Sequence, residues 1–262
     1  MAIPSEKELL ASAVHFGHRK EKWNPKMKPY LYGTRKGIHI FDLEKTRLHL
    51  QRMLDALKKL QVEGKTILFV STKQQSIPFI EHLATVLNQP MVTKKWIPGL
   101  LTNWPTIKRR LKYYLDLQRS FQTGEVEKYT KKEQTALRKK LAKLDNALAG
   151  VSRMAGLPDA VFILDALRDR VAVLEAAKLK IPVFGICDSN ADPDHFAALV
   201  PANDDAVKSI ALLLQAVESE LAEATHAKKQ AMDASAELLA KGAPAAAAPA
   251  AVLATEMREK QA

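Results

Sequence analysis

Cysteine is almost absent from this chain, and so are the segments that carry a protein into or across a membrane. Cys187 is the one cysteine, so no intrachain disulfide can form, and the composition suits a reducing compartment. No run of about 18 apolar residues occurs, so the sequence predicts no membrane-spanning helix. Residues 1–7 lack the apolar core of a signal peptide and the Arg/Ser-rich composition of a transit peptide. We therefore expect a cytoplasmic protein.

Nucleotide-binding and catalytic motifs are also scarce. The chain contains no Gly-x-Gly-x-x-Gly sequence. Gly64-Lys65-Thr66 resembles the end of a P-loop, but Lys59 stands where that loop needs its first glycine, and the segment leads into an apolar strand. Cys187 lies in an apolar stretch, which is typical of a core residue rather than a nucleophile. The sequence predicts no catalytic residues and no small-molecule substrate.

Positive charge is what the chain has in excess. It carries 40 Lys and Arg against 29 Asp and Glu, a net charge of +11, and its pI is about 9.6. With 262 residues, of which 47% are hydrophobic, it is long enough for one full core with appendages. A balance this basic favours nucleic acid or another anionic surface as the partner.

Residues 106–153 predict a pair of helices, which we name the basic hairpin. Apolar and aromatic positions recur at heptad spacing in each half. The first half has Ile107, Leu111, Tyr114, Gln118 and Phe121, and the second has Leu137, Leu141, Leu144, Leu148 and Val151. Thr130 and Glu133 form a capping box at the start of the second helix. The pattern predicts an inserted antiparallel coiled coil.

The basic hairpin also carries most of the chain's net charge. It contains thirteen Lys and Arg but five Asp and Glu, a net charge of +8. Solvated helices normally mix charges of both signs, so this imbalance favours the phosphate backbone of a nucleic acid as partner. The predicted nucleic-acid contacts of the basic hairpin are Lys108, Arg109, Arg110, Lys112, Lys131, Lys132, Arg138, Lys139 and Lys140.

The segment just before the basic hairpin sets two tryptophans among cations. Trp96 and Trp104 lie near Lys94 and Lys95, and Pro105 follows Trp104 where a helix can begin. Lysines can contact phosphates while an indole ring stacks on a base, so Lys94, Lys95 and Trp104 join the predicted contacts. The alternative is that both tryptophans are core anchors and the cations form a solvated face.

The N-terminal segment, residues 1–37, holds a second basic and aromatic patch. A short amphipathic helix over 5–14, capped by Ser5, leads into a loop over 19–36 rich in Pro, Gly, Lys and aromatic residues. Through residue 36 the segment has eight basic and three acidic residues. Long irregular loops in compact domains are usually functional. The predicted nucleic-acid contacts here are Trp23, Lys26, Lys28, Arg35 and Lys36.

Apolar strands alternate with helices over the remainder of the chain. Strands are predicted at 38–43, 65–71, 90–96, 160–165, 181–188 and 199–202, separated by helices. This pattern predicts an α/β fold: a doubly wound, flavodoxin- or Rossmann-like parallel sheet with helices on both faces. The predicted segments are 1–37, the α/β domain over 38–105 and 154–225, the basic hairpin inserted at 106–153, and a C-terminal extension at 226–262. The extension is a helix followed by a low-complexity Ala/Pro-rich tail, which we expect to be flexible.

An acidic stretch follows the basic hairpin. Residues 159–205 hold nine acidic and four basic residues, and two predicted strands end on aspartates. His18, Asp188, Asp204 and Asp205 are candidate ligands of a divalent ion. Histidine with carboxylates fits zinc, with magnesium or manganese as alternatives. The competing interpretation is that these aspartates cap a helix and shape turns, and that no metal is bound.

Six motifs that occur in this order resemble one family. They are His15-Phe-Gly-His18, Trp23-Asn-Pro-Lys-Met-Lys-Pro-Tyr30, Gly37-Ile-His-Ile40, Leu100-Leu-Thr-Asn-Trp104, Gly156-Leu-Pro-Asp-Ala160 and Pro201-Ala-Asn-Asp-Asp-Ala206. From about residue 11 to 223 the chain is similar to the S-two family of the bacterial small ribosomal subunit. Pro98, Pro105 and the Ala/Pro-rich tail depart from the family pattern.

The resemblance implies a function. It implies a non-enzymatic protein of the cytoplasmic ribosome that requires no cofactor. Such a protein binds small-subunit (16S-type) rRNA near the head–body junction. It also helps to hold ribosomal protein S-one beside neighbouring small-subunit proteins. Because phosphates repel the acidic stretch, we expect that stretch, with Leu9 and Leu10, to face the protein partner. Two alternatives stay open: an RNA-acting enzyme that depends on a metal or a nucleotide, and a pure protein adaptor.

Overall fold

The computed structural model describes the backbone of residues 3–241 and the side chains of residues 3–225. The chain divides into two units, residues 1–225 and 226–262, and the fold described below is that of the first. The predicted Ala/Pro-rich tail beyond residue 241 lies outside the described residues. No helix in the described part of the chain is both long enough and apolar enough to cross a membrane.

A five-stranded parallel sheet forms the centre of the fold. Its strands are β4 (Ile67–Val70), β5 (Met91–Val92), β6 (Ala160–Ile163), β7 (Val183–Cys187) and β8 (Ala198–Pro201), in the spatial order β5-β4-β6-β7-β8. Every neighbouring pair is parallel. The chain therefore reverses its winding direction between β4 and β6, which is where doubly wound sheets place their ligand sites.

Alternate residues of the central strands enter two separate cores. Phe69 of β4 and Phe162 of β6 face one core, whereas Val70 and Ile163, the next residues along, face the other. Strands buried on both faces must be apolar at every position, as these are. The predicted α/β fold with a parallel sheet flanked by helices is confirmed.

The described part of the chain contains seven α-helices. They are α1 (Glu6–Ala11), α2 (Leu43–Glu63), α3 (Ile77–Val86), α4 (Trp104–Gln122), α5 (Lys131–Leu148), α6 (Arg170–Lys178) and α7 (Val207–Lys241). Buried residues of α1, α2, α3 and α7 belong to the first core, and those of α4, α5 and α6 to the second. The two helix sets therefore cover opposite faces of the sheet.

The prediction for residues 38–43 was wrong about the sheet they join. β3 (Ile38–Phe41) lies in a separate antiparallel sheet, between β1 (Phe16–Arg19) and β2 (Leu31–Arg35). Lys36 and Gly37 turn between β2 and β3 with φ of 52° and 77°, the positive values that a tight two-residue hairpin turn needs. The segment 19–36, predicted as an irregular loop, thus contains the end of β1, a 3-10 helix (Pro25–Tyr30) and strand β2.

Helices α4 and α5 lie against each other. The Tyr114 hydroxyl on α4 donates a hydrogen bond to Asp145 on α5 at 2.7 Å. Leu117, rather than the predicted Gln118, is the buried residue after Tyr114 on α4. The capping box of Thr130 and Glu133 is present at the start of α5. The coiled-coil geometry of the pair stays a prediction.

The C-terminal end of the basic hairpin closes against the outer strand of the parallel sheet. Gly150 approaches the carbonyl group of Met91 so closely that an added Cβ atom would lie 2.2 Å from its oxygen. Glycine is therefore required at this position, since any side chain would push the hairpin away from β5.

Candidate nucleic-acid interface and the acidic cluster beside it

All thirteen basic side chains of the basic hairpin are exposed. None of them forms an ion pair with a carboxylate among the residues that the structure describes. Their polar contacts are with neutral groups: Arg109 donates to Thr106, and Arg153 donates to Asn88. The hairpin thus presents positive charge that the protein does not neutralise, which suits contact with phosphates.

The N-terminal patch has both free and neutralised cations. Lys28, Arg35 and Lys36 are exposed and have no acidic partner in the described part of the chain. Lys26, by contrast, forms ion pairs with Asp192 and Asp194, and its hydrogen bond to Asp194 is the main reason why its pKa is raised. Among the predicted lysine contacts of this patch, Lys26 is thus already paired with carboxylates of the protein.

Aromatic rings accompany these cations. Trp23 lies half-buried against His39, with 4.8 Å between the ring centroids. Tyr32 on β2 is 82% exposed, although the sequence analysis did not include it among the predicted contacts. The signal that could have found it is period-2 alternation along β2, because Leu31 next to it packs inward.

The tryptophan segment before α4 is anchored to the core. Trp96 is buried, and its Nε1–H donates to Oε1 of Glu175 on α6 at 3.0 Å. The backbone N–H groups of Gly99, Leu101 and Thr102 donate to the same carboxylate. Burial alone would raise the pKa of Glu175, but these hydrogen bonds outweigh burial and lower it. Trp96 is thus a core anchor, the alternative that the sequence left open.

The cations and the second tryptophan of this segment lie closer to the surface. Trp104 begins α4 and is half-buried, packed against the second core. Lys94 and Lys95 are exposed, and the Lys94 ammonium group donates to the side chain of Asn146 at 2.5 Å. These three residues therefore line the surface where the basic hairpin leaves the α/β domain.

An acidic cluster lies beyond the carboxyl ends of β4, β6, β7 and β8, around a lysine that the sequence analysis missed. Lys73 is 6% exposed, and its Nζ lies 2.8 Å from Asp204, 2.7 Å from Asp205 and 3.5 Å from Asp165. Burial alone would lower the pKa of Lys73, but Asp204 and its neighbours raise it far above the ordinary value. Burial and the nearby carboxylates raise the pKa of Asp204.

His18 joins this cluster from the small sheet. Its Nδ1 lies 3.0 Å from Asp188, and its Nε2 lies 3.5 Å from Asp205. The hydrogen bond to Asp188 raises the pKa of His18. Asp188 is buried, and its second oxygen, Oδ2, has no hydrogen-bond partner among the described residues.

Three of the four predicted metal ligands therefore come together. Potential ligand atoms of His18, Asp188 and Asp205 lie within 4.8 Å of one another, whereas Asp204 contacts the ammonium group of Lys73. The Lys73 ammonium already balances part of the negative charge that a cation would otherwise neutralise.

Some of the acidic residues do shape turns, as the competing interpretation expected, but Asp204 and Asp205 do not cap the last helix. Asp192 accepts a hydrogen bond from the N–H of Asp194 across a turn. Before α7, the side chain of Asn203 accepts hydrogen bonds from the N–H groups of Asp205 and Ala206. Asp204 and Asp205 are thus free to contact Lys73.

The small sheet is attached to the acidic cluster by backbone contacts. The N–H of His18 donates to the Ser189 hydroxyl at 2.8 Å, and the N–H of Asn24 donates to the Ser189 carbonyl at 2.7 Å. An added Cβ on Gly17 would lie 2.9 Å from the Ser189 hydroxyl, so glycine permits this close approach. These contacts set the position of His18.

The two leucines predicted to contact a partner have different environments. Leu9 is fully buried and belongs to the first core. Leu10 is 56% exposed. Adjacent residues of a helix point about 100° apart, so the two side chains cannot share one surface. The prediction of a partner contact therefore rests on Leu10.

Comparison with known proteins supplies the family. Residues 9–224 match the family described as Ribosomal protein S2. The chain is also 43% identical over 217 residues to the "Small ribosomal subunit protein uS2" of Buchnera aphidicola subsp. Schizaphis graminum (strain Sg), an alignment that covers 83% of this chain and 89% of that relative. The matched region contains both sheets, the basic hairpin and the acidic cluster. The chain therefore belongs to the ribosomal protein S2 family, whose members are structural, non-enzymatic components of the small ribosomal subunit.

Proposed function

We propose that this protein binds small-subunit rRNA through the basic hairpin and the N-terminal patch, near the head–body junction of the subunit in the cytoplasmic ribosome. It supports translation as a scaffold, and a separate surface helps to hold ribosomal protein S-one. The resemblance found in the sequence supports the location and the S-one contact. The charge distribution of the structure supports the rRNA contact.

The observation that carries the proposal is the set of unpaired cations on the basic hairpin. Some lysines outside the basic hairpin do have carboxylate partners, as Lys58 has Glu220 and Lys65 has Asp159. The thirteen basic residues of the basic hairpin have none among the described residues. A folded protein that leaves so much charge of one sign unpaired loses stability through self-repulsion, and a polyanion removes that repulsion on binding.

Side-chain contacts within and beside the basic hairpin hold these cations in place. The contact between Tyr114 and Asp145 joins the two helices, and Glu175 fixes the segment that leads into α4. A hairpin whose two helices are already formed loses little conformational entropy when it binds RNA. Lys94, Lys95 and Trp104 extend the basic surface toward the α/β domain.

The S-one contact is the finer part of the proposal. Leu10 is exposed on α1, on the part of the chain that also supplies His18 to the acidic cluster. An exposed apolar side chain suits a protein neighbour better than the charged backbone of rRNA. A divalent ion held by His18, Asp188 and Asp205 stays a prediction.

Charge reversal on the basic hairpin tests the rRNA contact. The test variant carries Arg109→Glu, Arg110→Glu, Arg138→Glu and Lys139→Glu. None of these side chains is buried or paired with a carboxylate among the described residues, so the fold should be preserved. Removing one phosphate contact should reduce the slope of log affinity against log salt by about 0.7–0.9, and removing all four should reduce it by about 3.

The matched control reverses four exposed cations outside the proposed interface. It carries Arg47→Glu, Arg52→Glu, Lys59→Glu and Lys208→Glu, so both variants have the same net charge. If the basic hairpin contacts rRNA, the control keeps most of the wild-type salt slope. Equal slopes for a folded test variant and the control would show that the protein binds rRNA by overall charge, or through another surface.

A further inference from the structure

The tip of the basic hairpin contains an apolar groove between its two helices. The groove has a volume of about 420 Å³, which falls within the range of small-ligand sites. Its lining includes the buried side chains of Leu117 and Val126, the half-buried Leu137, and the exposed rings of Tyr113 and Tyr129. Tyr113 is 41% exposed and Tyr129 is 53% exposed, so the two rings are available to a ligand.

Charged groups at the groove differ in sign from one position to another. The Lys140 ammonium lies 4.4 Å from the centre of the Tyr113 ring, which places a cation at the margin. Asp116 lines the groove, and no described residue donates a hydrogen bond to its carboxylate or pairs with it. The other acidic residue of the lining, Glu133, is already engaged by Thr130.

We propose that this groove receives one unpaired nucleobase of the bound RNA, one that carries an exocyclic amino group. This inference rests on the proposed function, because the surrounding cations bring a phosphate backbone to the hairpin. A lining of apolar side chains and two tyrosine rings matches the faces of a base. The Asp116 carboxylate can accept a hydrogen bond from the amino group of cytosine, adenine or guanine, and uracil has no such group.

The charges favour a base over an apolar segment of a protein. The hairpin that holds the groove carries thirteen exposed, unpaired cations along 106–153, and a phosphate chain is the partner that they attract. Lys140 at the margin can pair with the phosphate next to an inserted base. Asp116 would repel a phosphate, but it lines the groove itself, where the base edge lies.

Fluorescence and affinity measured with short single-stranded RNA test the inference. The full-length protein is titrated with a strand that carries 2-aminopurine at its centre, and with the same strand made abasic at that position. Insertion of the base quenches 2-aminopurine fluorescence and makes the abasic strand bind about tenfold more weakly. Equal affinity for both strands, without quenching, overturns the inference, and this comparison needs no variant.

Three variants separate the groove from the phosphate contacts. Tyr113→Ala with Tyr129→Ala should bind both strands equally and keep the wild-type salt slope, because no phosphate contact is removed. The matched pair Tyr113→Phe with Tyr129→Phe keeps the rings and should bind like wild type. Asp116→Ala should lose the preference for cytosine over uracil at the central position, and a preference unchanged in this variant overturns the assignment of the base edge.

The same titration distinguishes failure of the inference from failure of the proposed function. If neither strand binds, or if the charge-reversed hairpin binds both as well as wild type does, the proposed rRNA contact of the hairpin is wrong. If both strands bind equally and with a steep salt dependence, the hairpin contacts phosphates and the groove takes no base.

Discussion

Replacing Lys73 by methionine removes the one cation buried among the aspartates of the acidic cluster in the described structure. Methionine keeps most of the side-chain volume, so the variant tests charge rather than packing. Asp204 is 3% exposed and loses its ammonium partner, 2.8 Å away. Breaking a buried ion pair from one side costs about 3–5 kcal/mol, because the remaining charge stays buried and unpaired. The partner Asp205 is largely exposed and adds little to this loss.

The stability lost in Lys73→Met should depend on pH in a definite direction. Burial already raises the pKa of Asp204 above the ordinary value, and removing Lys73 raises it further. A raised folded-state pKa means that the folded protein binds the proton more tightly than the unfolded chain, so stability falls as pH rises through that range. We therefore expect Lys73→Met to lose the full 3–5 kcal/mol near pH 8 and clearly less near pH 5.

Urea unfolding at both pH values, monitored by circular dichroism, measures this loss of stability. The matched control is Lys58→Met, because Lys58 pairs with Glu220 at the surface and is 45% exposed. The control should lose much less stability than Lys73→Met, because an exposed ion pair contributes little. Adding Asp204→Asn to Lys73→Met should restore part of the stability, since it removes the unpaired charge. A loss near pH 8 no larger than that of the control, or one independent of pH, would refute this account of the cluster.

Four further predictions concern the N-terminal segment and the acidic cluster. Asp188 raises the pKa of His18, so the stabilisation from this pair is complete below about pH 6.5 and is lost as pH rises through the folded-state pKa. His18→Ala should therefore flatten the pH dependence of unfolding in that window. Leu9→Glu should cost more than about 3 kcal/mol in thermal or urea unfolding, whereas Leu10→Glu should leave stability within about 0.5 kcal/mol. Reconstituted subunits that carry Leu10→Glu should then contain less S-one by mass spectrometry, and unchanged S-one would count against that contact. Elemental analysis of protein purified without chelator should find near-stoichiometric zinc, manganese or magnesium, and His18→Ala should remove it. Metal-free wild-type protein would instead indicate that Lys73 alone balances the negative charge of the aspartates.

Local patterns were sufficient to predict most helices and the strands of the parallel sheet. Continuous apolar runs identified β4 and β6, because a strand covered on both faces has no polar side. The capping box of Thr130 and Glu133 marked the start of α5 within one residue. These signals lie within a few residues of one another, so the sequence displays them directly.

Contacts between distant parts of the chain could not be predicted in the same way. The apolar run at β3 fits either sheet, and only its pairing with β1 and β2 decides which one. Lys73 lies 131 residues from Asp204, and a lysine after a strand is normally exposed. The role of Trp96 depended on Glu175, 79 residues later. The sheet order places Lys73 at the point where the winding reverses, and this topology had to be known before the lysine could be identified.

The contact between Gly150 and Met91 has a consequence for solubility. β5 is the outermost strand on its side of the parallel sheet, and an uncovered outer strand offers free backbone groups with which another chain can pair. The hairpin base lies against the Met91 carbonyl and leaves no space there for an incoming strand. The same insertion that carries most of the chain's net positive charge thus also covers this edge of the sheet against pairing with another chain.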